Sequence, residues 1–252
     1  MGTLKTGDEH ISFDGMPTGY LLSDFWRWSS SDLLDNTLRG SYCEFIVATA
    51  LELDVAVSHE NWLPWDLTFP CQWQDIYGDI HNNIRIEVKS SAYLQSWNED
   101  KLSNIIFSIR QTHAWDAEKG FYGEFKRQSD VYVFCLYDVK ERSKADPLIL
   151  DKWKFYIVPT WKLDEICGPQ KTISLNSLLQ LNPIRADYSG IQAAIVQCVQ
   201  GDECPPPGIL HSFYAFRHVI LVYYYKAAHD SRAALFATYF RFFWRSDHEE
   251  TS

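Results

Sequence analysis

Strict alternation marks one stretch of the chain. Ile84-Arg85-Ile86-Glu87-Val88-Lys89 sets Ile84, Ile86 and Val88 against Arg85, Glu87 and Lys89. Side chains on a strand alternate faces, so the pattern predicts a strand with one apolar side. On its other side an acid and an amine stand next to each other. Residues 131–137 are apolar without a break, which predicts an interior strand covered on both faces. Ile105, Phe107 and Ile109 alternate within 102–109 and predict another strand. Residues 65–69 and 153–158 read as further strands, the second closed by Pro159, and 56–58 as a short one. Helical spacing takes over in 42–53, where Glu44 shares a face with Val47, Ala48 and Leu51. Residues 20–38 and 172–181 also carry a helix-like pattern. Residues 1–20 read as a loose lead-in, 70–83 as a turn-rich connection and 110–116 as a loop. This order predicts an α/β or α+β fold, a sheet with helices on its faces.

The chain has 252 residues, enough for one good-sized domain or one domain with an appendage. Cys204-Pro205-Pro206-Pro207-Gly208 breaks any regular element. The expected division is therefore a domain over 1–200 and an aromatic-rich extension over 201–252, with a helix candidate at 227–244. The net charge of −10 excludes a protein that grips nucleic acid by its overall charge. Any such binding needs a local basic stripe. Lys119, Lys126 and Arg127, interleaved with Phe121, Tyr122 and Phe125, form one candidate; Lys140, Arg142 and Lys144 form another. Arg110, after a strand, is a further candidate for phosphate contact. The six cysteines contain no CxxC pair, so a zinc site is not expected, and reduced thiols in a cytoplasmic protein are. The polar N-terminus has no apolar leader core and no apolar run is long enough to span a bilayer, so no membrane partner is expected.

A carboxylate on an inward helix face needs a cation, a hydrogen bond or a metal, and this applies to Glu44. Arg39 or Arg85 would serve as a structural partner. Asp66 lies in the apolar setting Leu63-Pro64-Trp65-Asp66-Leu67, ahead of Glu87-x-Lys89. Phosphodiester hydrolysis needs a metal, an activated water and charge stabilisation. Mg²⁺ prefers one or two carboxylates with waters and phosphate oxygens. Asp66 and Glu87 suit it, with the Val88 carbonyl as a further ligand. Lys89 would orient the water and offset phosphate charge, and Glu44 would hold a second metal or a metal-bound water. Asp75 and Asp79 also precede the strand and stay open as alternatives to Asp66.

Asp66, Glu87 and Lys89 in this order resemble the PD-(D/E)xK, or restriction-endonuclease-like, nuclease superfamily. Glu44 looks like the acid contributed there by the first helix, and Trp65 stands where the motif has proline. The context also resembles a group of uncharacterised bacterial proteins. The similar stretches are Arg39-Gly40 before Glu44, Trp65-Asp66-Leu67, the run from Ile86 through Ser90-Ser91-Ala92-Tyr93-Leu94-Gln95-Ser96-Trp97, Asp130-Val131-Tyr132-Val133-Phe134 and Gln170-Lys171-Thr172-Ile173-Ser174. The resemblance implies a mixed central sheet flanked by helices and Mg²⁺-dependent cleavage of nucleic acid, usually DNA, with Mn²⁺ as a substitute. It also implies an accessory role for Gln95, and a homodimer where duplex is cut. Two other readings stand beside it. One is a non-catalytic nuclease-fold module that binds nucleic acid or a protein; the other is a salt-bridged network with no site at all.

Overall fold

The structure, a computed structural model, describes residues 4–56, 63–75, 77–97, 101–116 and 120–200. The extension over 201–252, the helix candidate at 227–244 and residues 57–58 of the short strand lie outside them. The elements are β1 (His10–Phe13), β2 (Met16–Leu21), α1 (Leu22–Ser30), α2 (Asn36–Ala50), β3 (Leu67–Gln74) and β4 (Ile80–Ala92). Then come β5 (Ile106–Ser108), β6 (Thr112–Asp116), β7 (Gly120–Lys126), β8 (Val131–Tyr137) and β9 (Trp153–Pro159). The domain finishes with α3 (Thr160–Cys167), β10 (Thr172–Ser174), α4 (Leu175–Gln180), β11 (Ile184–Ala186) and α5 (Ile191–Gln200).

A mixed five-stranded sheet organises the fold, in the order β11-β9-β8-β4-β3. Only β4 and β8 run parallel; the other neighbours are antiparallel. Alternation along β4 divides two apolar layers. Ile84, Ile86 and Val88 join Val133, Cys135, Phe155 and Ile157 beneath α2 and α5. On the opposite face Tyr132, Phe134, Leu136, Tyr156 and Val158 pack against α3, α4 and the β5–β10 ribbon. All seven residues of β8 are buried, because both faces of this interior strand are covered. Fully burying one side chain such as Ile84 or Ile86 stabilises the fold by about 1.5–3 kcal/mol.

Helix α2 hangs over the first layer. The Asp35 carboxylate accepts the N–H groups of Thr37 and Leu38 at 2.9 and 3.1 Å and starts the helix six residues before the expected 42. Gly40 therefore sits inside it. Arg39, Cys43, Ile46 and Val47 form the buried stripe that outweighs the roughly 1 kcal/mol a helical glycine costs. Val47, Ala48 and Leu51 are buried on the face of Glu44, which is itself half-buried.

Other local expectations change too, and the strand expected over 102–109 shortens to Ile106–Ser108. Residues 1–20 form a ribbon, β1–β2, rather than a lead-in. The connection expected at 70–83 shrinks to 75–79, because β3 runs on through Pro70, which an edge strand tolerates. Residues 112–116 pair with β7 instead of looping. The helix expected over 172–181 starts only at Leu175, because Thr172–Ser174 pairs with β5 and Ser174 caps the helix. Among the described residues no helix is long and apolar enough to cross a membrane.

Candidate functional site

Strands β3 and β4 part company at Asp66. Leu67 still pairs with Ile86, and the Asp66 N–H donates to the Ile86 carbonyl at 3.0 Å. Two residues further back stands Pro64, with no N–H to carry the ladder on. The Val88 N–H donates instead to Asp66 Oδ2 at 2.7 Å. The N–H and C=O of one strand residue leave the strand on the same edge, so the Val88 carbonyl opens on this fork too. The other edge of β4 is closed. Arg85 and Asp130 exchange backbone and side-chain bonds there, including guanidinium contacts of 3.0 and 2.5 Å. Trp65 roofs this pair: its Nε1 donates to Thr68 Oγ1 at 2.8 Å, and the Arg85 guanidinium lies 5.4 Å from its ring centroid.

Lys89 reaches into the fork. Its Nζ lies 2.5 Å from Glu87 Oε1 and 3.5 Å from Asp66 Oδ2. The three side chains are 20–25% exposed, so a substrate can reach them. One ammonium does not balance the acids. Burial, followed by the charges of Asp66 and Glu44, pushes the Glu87 carboxyl up to about 7 against the pull of Lys89. Burial also works against the Lys89 ammonium, but Glu87 and Asp66 outweigh it and hold its pKa above the ordinary value. A cluster in which acid and amine both hold their protons too tightly is short of positive charge.

Two carboxylates and one strand carbonyl, all hard oxygens, are the donor types that Mg²⁺ takes. Among the described residues no three His, Cys, Asp and Glu side chains converge as a ready-made metal cage. Mg²⁺ needs none, because it keeps several waters and takes phosphate oxygens from the substrate. The charge of Glu44 raises both the Glu87 carboxyl and the buried Cys135 thiol.

The remaining candidates scatter. Gln95 is buried: its Oε1 accepts from Arg39 at 3.1 Å, and its Nε2 donates to the Ala92 carbonyl. Arg39 also donates to the Leu34 carbonyl and to Asn36, while its Nε is buried without a partner. Arg127 is not a nucleic-acid contact. Its side chain is fully buried and donates to the Ile109, Gly168 and Gln170 carbonyls and to Asp164 at 2.5 Å. A guanidinium with fixed carbonyl acceptors on several sides is a brace. Lys126 and Arg110 are exposed, Lys126 beside Glu124 at 3.3 Å, and Lys119 lies outside the described residues. Asp75 and Asp79 belong to the far turn. The Arg85–Asp130 pair escaped sequence reading, although Asp130 stands directly before the apolar run of β8.

Comparison of the chain with protein-family models, with curated proteins and with solved structures finds no match in any of the three.

Proposed function

We propose that this protein is a metal-dependent nuclease that hydrolyses phosphodiester bonds in nucleic acid, with DNA as the favoured substrate. The observation that carries the reading is the fork itself. Asp66, Glu87 and Lys89, up to 23 positions apart in sequence, share one set of ion pairs where β3 leaves β4. Asp66, Glu87 and the Val88 carbonyl would hold Mg²⁺. Bound there, Mg²⁺ supplies Lewis acidity towards a phosphoryl oxygen and lowers the pKa of a water.

The protein's own groups do the rest. Lys89 donates hydrogen bonds that aim the attacking water and offsets charge building on the phosphate. The Val88 N–H holds the Asp66 carboxylate in place, so aiming it costs nothing when substrate arrives. Arg85, fixed by Asp130 and Trp65, keeps β4 in register with β8 and Glu87 beside the fork.

The test is cleavage of labelled single-stranded, duplex and branched DNA and of RNA, with Mg²⁺, with Mn²⁺ and with chelator. Metal-dependent cleavage that disappears in Asp66→Ala and Lys89→Ala is expected. Cleavage that survives both substitutions overturns the reading. Calorimetric titration that shows no affinity for Mg²⁺ or Mn²⁺, even with DNA present, turns the choice to the non-catalytic binding module.

A further inference from the structure

The β6–β7 ribbon has a face that its own packing does not explain. Trp115 pairs with Phe121 across the two strands, which puts both rings on one face. The His113 ring lies 5.1 Å from that of Phe125 and extends the same face. Between Phe121 and Phe125 stands Gly123, which adds no side chain and turns the strand at φ 75°. The register shifts between Thr112 and Ala114, so β7 bulges over 123–125, where the exposed Glu124 stands beside these rings. Phe121 is 77% exposed and Phe125 59% exposed. The opposite face carries Ala114, buried, and Tyr122. A two-stranded ribbon is marginal alone, and cross-strand ring pairs add only about 0.2–1 kcal/mol each to its folding.

The ribbon is nevertheless held firmly at its root. Gln128 Nε2 donates to the Thr112, Glu124 and Lys126 carbonyls, which closes the base of the ribbon. Arg127 ties the base to α3 and to the chain after it. Cations flank the root: Arg110 just before β6 and Lys126 at the end of β7, both exposed. From Lys126 the chain runs directly into β8, where Tyr132 stands in register with Glu87. Six residues of extended chain span at most about 20 Å. The ring face and the acid cluster are thus joined by one short, braced segment.

We infer that the β6–β7 ribbon is a stacking platform for the unpaired bases of a single-stranded nucleic acid, with Arg110 and Lys126 beside its phosphates. This rests on the nuclease reading and narrows it to a substrate class. Every base has a π-face, so a cluster of exposed rings grips any sequence. Its rings carry none of the aliphatic packing residues of a protein-docking face. Cations at one end suit a polyanion whose bases lie along the rings.

The experiment is fluorescence anisotropy of the full chain, in chelator, with a labelled mixed-sequence single strand of about 16 nucleotides and with its duplex. The platform requires tighter binding of the single strand than of the duplex. Phe121→Ala with Phe125→Ala should weaken single-strand binding by about tenfold or more, with the chain still folded by circular dichroism. Phe121→Tyr with Phe125→Tyr should retain it. Unchanged affinity in the double alanine variant overturns the inference. So does light scattering that shows the rings to drive self-association of the chain instead. Cleavage of the same strand with Mg²⁺ separates the two ideas. Lys89-dependent cleavage with ring-independent binding removes the platform alone. Ring-dependent binding without Lys89-dependent cleavage removes the nuclease alone.

Discussion

The hairpin of β3 and β4 carries acids at both ends, and the two ends are opposites. At the turn, Asp75 is saturated. Its Oδ1 accepts the N–H groups of Tyr77 and Asp79, each at 2.9 Å, and its Oδ2 meets His81 Nε2 at 3.0 Å. The bond from His81 leads the effects that hold the Asp75 carboxyl below its ordinary value. His81 is fixed in turn by stacking on Trp73, with ring centroids 4.6 Å apart. At the fork, Asp66 accepts the Val88 N–H, yet it shares Lys89 with Glu87, and the Glu87 carboxyl rises. An acid with enough donors closes a turn. Acids that share one ammonium, with a carboxyl raised by burial, mark the place proposed above for a cation.

Substitutions can break this contrast, and the largest effect belongs to the fork. Asp66→Asn or Lys89→Met should slow metal-dependent cleavage by at least about 10²-fold in single-turnover assays, while Asp75→Ala leaves it unchanged. Equal losses at both ends would erase the distinction. The same test extends to cations. Arg127→Ala should lower unfolding stability by about 3 kcal/mol in urea titrations, because Asp164 and three carbonyls lose their donor. Lys126→Ala should stay within about 0.5 kcal/mol.

The two ends also respond to pH with opposite signs. A raised carboxyl stabilises the fold while it is protonated. Glu87's contribution is therefore complete below its ordinary 4.5 and is lost as pH rises to about 7. Metal-free protein should melt at falling temperature across that window, and Glu87→Gln should flatten the fall. A lowered carboxyl does the reverse. Asp75's contribution holds above its ordinary 3.8 and is lost as pH drops through its lower folded value. Asp75→Ala should make the acid limb of the melting profile shallower, the smallest of these effects.

Patterning was most legible where one physical constraint ruled the segment. The run over 131–137 coincides with β8, because an interior strand buried on both faces admits only apolar residues. The alternation over 84–89 falls inside β4, with its apolar side in the core as expected. Glu44's face was legible as well, since helical spacing needs only the neighbours. Boundaries were less so. Proline and asparagine made 70–83 look like loop, yet an edge strand accepts proline and a single aspartate closes the turn within 75–79. Basic residues misled most. Lys126 and Arg127 are adjacent and equally charged, but one is in water and the other is a buried brace. Composition contains nothing that separates them.

The sequence by itself determined a sheet with helices on its faces, the interior strand, and the pairing of an acid with an amine on one side of β4. These follow from periodicity, because burial on a strand or helix repeats every two residues or every three to four. Only the tertiary structure decided which acid meets Glu87. Asp66 wins over Asp75 and Asp79 because β3 leaves the ladder where Pro64 cannot continue it, and the turn acids sit at the hairpin's other end. The apolar neighbours of Asp66 favoured it in the sequence, but the meeting itself depends on strand register, which is set by long-range packing.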